Sequence, residues 1–183
     1  MSTHYFIGIG ADERVQAELT QWQDELKTYV PMKMWPRPEE FHITVQFLGP
    51  VAEQQFSRLE EAWNKADFGR AFNLEVSGID NFGSAKQPRV IWAGVKPLEQ
   101  LRDLHRNVIA CTGKAGFEPE DRPYRPHITL GKKWGSGTVE GKLPLPDKRV
   151  SAPFEVGKVT LYRIEPGKRP KYVPVLVKDL EKE

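Results

Sequence analysis

Cysteine is almost missing: Cys111 stands alone in 183 residues. No internal disulfide can form, which fits a reducing compartment. The thiol itself reads as a small buried side chain in a helix. Long apolar runs are missing as well. The opening MSTHYFIGIGADERV has no basic n-region, and Tyr5 to Ile9 is too short for the apolar core of a signal peptide. Nothing approaches the ~20 apolar residues of a transmembrane helix. A soluble, cytoplasmic protein without a membrane partner is expected. Excess charge of either sign is also lacking: 27 Lys and Arg against 25 Asp and Glu leave a formal +2. That is too little to hold a polyanion by bulk attraction, so any basic character that matters must be local. No P-loop, GxSxG or GxGxxG pattern occurs.

What is present is ordinary for a globular protein. The chain is 39% hydrophobic and 28% charged, which argues against disorder. Its length suits one domain over residues 1–183, built as two small lobes sharing a core. No exposed apolar stripe is evident, so a monomer is expected.

Periodicity places the elements. Tyr5–Gly10 reads as a strand. From Asp12 to about Tyr29, Val15, Leu19, Trp22 and Leu26 recur three or four apart, the mark of an amphipathic helix capped by Asp12. Pro31 to Pro38 is a proline-rich connection. Phe41 to Pro50 alternates apolar and polar, as a half-buried strand does. Val51 to Ala66 is a second helix with Phe56, Leu59 and Trp63 inward. Ala71–Ile79 is a strand, Asn81 to Pro88 a loop and Arg89–Val95 a strand. Pro97 opens a third helix, Leu98 to Lys114. Phe117 to Arg125 is a loop, Arg125 to Trp134 a strand, and Gly135 to Pro153 a mobile Gly/Pro loop. Strands over Phe154–Glu165 and Lys171–Val177 close the chain around the turn Pro166 to Pro170. Helices and strands mix without strict alternation, which predicts an α+β fold with mainly antiparallel pairing.

One tetrapeptide occurs twice. His42-Ile43-Thr44-Val45 and His127-Ile128-Thr129-Leu130 are both His-x-Thr-x inside a predicted strand. Residues i and i+2 of a strand share a face, ~7 Å apart. Each copy therefore sets an imidazole and a hydroxyl on one surface and sends its Ile to the core. A lone strand histidine is more often structural. Here two of only four histidines fall in the same motif, and a duplicated half-domain would bring them to a shared groove. An imidazole titrates near ~6.5, so one can take a proton from water while the other gives one to a leaving group. Two hydroxyls can donate to the non-bridging oxygens of a phosphate. The layout suits in-line attack at phosphorus. Zinc needs three or four ligands, and no His-x-His, HExxH or cysteine pair supplies them.

On FHITVQFLG and RPHITLGKK the chain resembles the 2H phosphoesterases. It is most similar to the bacterial RNA 2',3'-cyclic phosphodiesterases, also called 2'-5' RNA ligase-like proteins. The resemblance runs from FIGIG through RVIWAGV to LYRIEPGKRPKYVPV. It implies two pseudo-symmetric lobes of sheet around a central cleft, helices outside. It implies hydrolysis of a nucleoside 2',3'-cyclic phosphate end, on RNA or a small cyclic nucleotide, to a 2'-phosphomonoester with no metal or other cofactor. Reverse 2'-5' joining of RNA is formally possible. By motif position, His42 would be the proton donor, His127 the acceptor, and Thr44 and Thr129 the phosphate ligands. The residues alone leave the two histidine roles interchangeable. A non-catalytic RNA-end binding module and a different cyclic phosphate substrate are the alternatives.

Further contacts with RNA are weaker expectations. Lys133 shares parity with the cleft face, whereas the resemblance favours Lys132; a bulge at Gly131 would reconcile them. Arg125 shares parity with His127. Trp92 either stacks on a base or packs in the core. Tyr5 and Phe6 face opposite ways, and one of them lines the cleft. Lys168, Arg169, Lys171 and the pair Lys148-Arg149 are candidate backbone contacts. His4 and His105 read as structural or solvated.

Overall fold

The structure, a computed structural model, describes residues 2–182. β1 (His4–Gly10) leads into α1 (Glu13–Lys27), whose first turn is closed by the Asp12 carboxylate accepting from the Val15 N–H at 2.8 Å. Its inward stripe is the one read from the sequence, with Gln23 as an added buried polar residue. The proline-rich connection carries a short strand, β2 (Met32–Met34), and a single 3-10 turn at Pro38–Glu40. β3 (His42–Pro50) and α2 (Glu53–Lys65) follow as expected.

Two long predicted strands each break once. Ala71–Ile79 is divided at Glu75 into β4 (Phe72–Leu74) and β5 (Val76–Gly83), which extends into the predicted loop at Asn81. β6 (Pro88–Val95), α3 (Glu99–Gly113) and β7 (His127–Trp134) come next. Phe154–Glu165 is divided at Gly157 into β8 (Phe154–Val156) and β9 (Lys158–Ile164), and β10 is Tyr172–Asp179. The first fragments, β4 and β8, pair as a separate two-stranded ribbon. A short-range pattern cannot register such a change of partner.

The main sheet runs β10-β9-β1-β3-β7-β6-β5, antiparallel throughout, with β2 paired to β7. The expected lobes are thus two halves of one sheet. They meet between β3 and β7, at the single pair Ile43↔Ile128. Both isoleucines are fully buried, in a core that also takes Leu19, Leu59, Leu104 and Val108 from the three helices. The segment expected to be mobile, Gly135 to Pro153, is tied down instead. Val139 N–H donates to Lys86 O and Val150 N–H to Val76 O, each at 3.0 Å, and Leu143 and Val150 are buried. Its Gly and Pro content goes with irregular backbone held at these points.

Each motif strand carries a bulge at the same place. β3 has Val45 unopposed between Gln46↔Ile7 and Thr44↔Gly8. β7 has Leu130 unopposed between Gly131↔Ile91 and Thr129↔Trp92. Two consecutive residues then point to the core, and the fifth after each histidine returns to the histidine's face. That residue is Phe47 in one copy and Lys132 in the other.

Candidate active site

Each imidazole is aimed from its own backbone. His42 Nδ1 lies 2.7 Å from Glu40 O and His127 Nδ1 lies 2.7 Å from Arg125 O, in both cases the carbonyl two residues upstream. Only a protonated Nδ1 can donate there, so the neutral ring of each carries its lone pair on Nε2. Thr44 Oγ1 donates to His42 Nε2 at 3.1 Å. Across the sheet each histidine faces a glycine, Gly10 opposite His42 and Gly94 opposite His127. A Cβ on Gly94 would stand 2.8 Å from Ser77 O, so the close approach of β5 to β6 beside His127 needs the bare backbone.

Aromatic rings wall both histidines. Phe6 lies 4.6 Å and Tyr172 5.1 Å from the His42 ring, and Tyr162 stacks behind Phe6 at 5.0 Å. Phe82 lies 5.0 Å and Trp92 5.7 Å from the His127 ring. These walls displace water, and burial disfavours a cation. Burial lowers the pKa of His42 to about 4, with His127, Lys132 and Lys171 adding repulsion against a partial offset from the Glu40 carbonyl. Burial also lowers His127, with Arg125 and Arg122 pressing the same way. Lys132 is lowered by burial and by the Lys171 ammonium beside it. The surroundings disfavour the cationic form of all three groups.

His42, Thr44, Phe47, Thr129, Lys132 and Tyr172 line a cavity of ≈ 260 Å³. A wider, open groove of ≈ 840 Å³ beside the start of α2 contains none of the motif residues, whereas His42, Thr44 and Thr129 all line the smaller space. Among the described residues no three His, Cys, Asp or Glu side chains gather as a metal would require. No described helix is long and apolar enough to cross a membrane.

The structure brings His42, Thr44, Thr129 and Lys132 to one cavity and sets His127 beside it on the same face of the sheet. The bulge resolves the lysine choice for Lys132. Lys133 is exposed in a left-handed conformation, φ 63°, and its parity with the cleft face does not survive the bulge. The Arg125 side chain is exposed, its guanidinium 5.5 Å from the Phe82 ring, while its carbonyl accepts from His127 Nδ1. Trp92 pairs with Thr129 and packs beside Phe82 and the His127 ring, half-buried, with its indole Nε1 shielded from solvent and without a partner among the described residues. Phe6, not Tyr5, faces the cleft. Arg169 pairs with Glu39 at 2.9 Å and Lys168 with Glu165 at 3.5 Å. Lys148 pairs with Glu25 at 2.8 Å, which leaves Lys171 as the basic-turn residue acting on the cavity.

Sequence reasoning missed Phe47, Phe82, Tyr172 and Tyr124. A signal for the lead-in was available: Arg37-Pro38 and Arg122-Pro123 stand at the same distance before the two histidines, so the repeat is Arg-Pro-x-x-x-His-Ile-Thr. Aligned on it, the carbonyl acceptors Glu40 and Arg125 correspond. His105 is structural in a specific way, stacked on Tyr124 at 4.1 Å and 3°.

Known proteins are similar to this chain in sequence and in fold. The LigT-like phosphoesterase family matches residues 9–92 and 95–172, including both motifs. The RNA 2',3'-cyclic phosphodiesterase of Bacillus subtilis is 32% identical over 180 residues, 92% of each chain. That of Geobacillus stearothermophilus is also 32% identical over 93% of this chain, which spans only 55% of that protein's length. Among solved structures, Escherichia coli LigT with 3'-AMP superposes with a TM-score of 0.82 at 19% identity, covering 98% of this chain and 99% of the other. TT0787 of Thermus thermophilus gives 0.78 at 22% identity over 98% and 99%. With the family matched across both motif strands and their neighbours, this chain belongs to the LigT-like phosphoesterases.

Proposed function

We propose that the protein hydrolyses 2',3'-cyclic phosphate ends of RNA or of nucleosides to 2'-phosphomonoesters, without a metal. His127 Nε2 takes a proton from water as the water oxygen attacks phosphorus. The P–O3' bond breaks, and the leaving 3'-oxygen takes the proton from His42 Nε2. Thr44 and Thr129 donate to the non-bridging oxygens, and Lys132 offsets their charge. The observation that carries this reading is the pair of imidazoles with one tautomer in common, each offering Nε2 on the face where both threonines stand.

The direction of transfer follows the family resemblance. It asks that His42 be charged, which burial opposes in the free protein. A bound phosphate anion supplies the missing counter-charge, so the acid is armed only when substrate is present. Arg125 and Arg122 favour a neutral His127, as a base requires. Phe47, half exposed at the cavity rim, offers an apolar face on which any base can stack. The relatives named RNA 2',3'-cyclic phosphodiesterase support the substrate class.

The test is incubation in EDTA with the four nucleoside 2',3'-cyclic monophosphates and a short RNA ending in a cyclic phosphate, the product isomer read by chromatography. The 2'-phosphate is expected, and His42→Ala or His127→Ala is expected to lower the rate ~10²–10⁴-fold. A 3'-phosphate product would reverse the regiochemistry. Turnover abolished by EDTA and restored by zinc would overturn the two-histidine scheme.

A further inference from the structure

The two motif strands share one backbone pair, Ile43↔Ile128, and diverge on either side of it. A single pair does not fix the angle between strands, yet the two imidazoles need a fixed separation. Two side chains outside the cavity span the gap. Tyr124, three residues ahead of His127, donates its hydroxyl to Thr44 O on the opposite motif strand at 2.9 Å. Gln23 on α1 uses both protons of its amide nitrogen, donating to Leu130 O and to Pro36 O, each at 2.9 Å. Leu130 is on the second motif strand, and Pro36 is on the approach to His42. The lead-in of each histidine is thus bonded to the other histidine's strand.

Both links are well sheltered. Gln23 is 2% exposed. The Tyr124 ring is clamped flat against His105 of α3, and burial raises its pKa, so the hydroxyl keeps its proton. Neither residue lines the cavity. Thr112 of α3 adds a third tie, donating to the buried Gln46 Oε1 on β3 at 2.7 Å.

We propose that Tyr124 and Gln23 are positioning residues, reciprocal cross-links that hold His42 and His127 at the spacing the phosphoryl chemistry requires. The inference rests on the proposed function for its meaning, but its geometry stands apart from it. In-line attack tolerates little displacement: a shift of about 1 Å can cost on the order of 10²-fold in rate. Losing one bond leaves the cavity lining intact and frees the angle between strands, so turnover suffers and binding does not.

The experiment compares Tyr124→Phe, Gln23→Met and His105→Ala with wild type. It measures kcat and KM on a nucleoside 2',3'-cyclic monophosphate and follows imidazole titration by nitrogen-15 NMR. Tyr124→Phe is expected to lower kcat about tenfold or more with KM within about twofold. His42 or His127 should titrate closer to the ordinary value, because a looser cleft admits water. His105→Ala should do the same to a smaller degree. A folded Tyr124→Phe with wild-type kcat and titrations overturns the proposal, as does a raised KM at unchanged kcat, which would make Tyr124 a substrate contact. If Gln23→Met does not fold, Tyr124→Phe decides alone. If wild type turns over no cyclic phosphate, the proposed function fails, and the titrations still decide whether the cross-links hold the imidazoles.

Discussion

At the residue scale, His42 and His127 combine a fixed tautomer with an environment hostile to charge. Both effects come from neighbours in space. The carbonyl two residues back sets the tautomer, and Phe6, Tyr172, Phe82 and Trp92 remove water. The pH dependence follows. Because both values lie below ~6.5 in the free protein, the bell in kcat/KM is expected to be centred on the acid side of neutrality. The bell in kcat belongs to the complex, where a phosphate anion favours the imidazolium, and is expected at higher pH. Rate profiles at saturating and limiting substrate check this, and coincident bells would contradict it. The motif residues were legible at this scale because His-x-Thr is a local pattern. The aromatic walls were not, since Phe6, Phe82 and Tyr172 reach the histidines from three different strands.

Among the elements, the paired bulges decide which side chains enter the cleft. Strict alternation puts Lys133 beside His127, but the unopposed Leu130 moves the parity by one and delivers Lys132. A charge-assisted hydrogen bond to phosphate is worth about 1.5–3 kcal/mol. Lys132→Gln is therefore expected to lower kcat/KM roughly 10–100-fold, and Lys133→Gln to change it less than about twofold. Steady-state kinetics on the two variants distinguishes bulge from simple alternation. A glycine inside a strand hinted at the irregularity. The matching bulge at Val45 carried no such hint, because Gln46 and Phe47 are ordinary strand residues. The ribbon of β4 and β8 was illegible for a related reason: single breaks at Glu75 and Gly157 redirect strands whose alternation continues almost undisturbed.

For the whole molecule, two half-buried imidazoles make stability depend on acid. The unfolded chain binds protons near ~6.5, before the folded His42 does at about 4, so protonation favours unfolding as pH falls. This stability is complete above the unfolded value and drains away toward the folded one. His42 alone accounts for about 2 kcal/mol between pH 7 and 5, and His127 adds in the same direction. Denaturant midpoints at the two pH values measure it, and His42→Gln/His127→Gln should flatten the dependence. The α+β class, the three helices and nearly every strand were legible, each element having its own periodicity. That the halves form one continuous sheet, with Ile43 and Ile128 the single ladder pair between β3 and β7, depends on pairings no local pattern records.

The sheet order also dictates a history for each newly made chain. β5, β6 and β7 lie between Val76 and Trp134 and pair with near neighbours in sequence. β1 and β3 pair across a comparable separation, but their half is complete only when β9 arrives and pairs Arg163 with Tyr5. Short loops close sooner than long ones. The rate-limiting nucleus is expected within residues 76–134, with high φ-values at Ile91 and Leu104 and low ones at Leu161. Tyr162 and Tyr172, on the last strands to arrive, complete the wall around His42. The protein thus completes the surroundings of His42 at the final step of folding, and a nascent chain lacking its C-terminal hairpin carries a walled His127 beside an open His42.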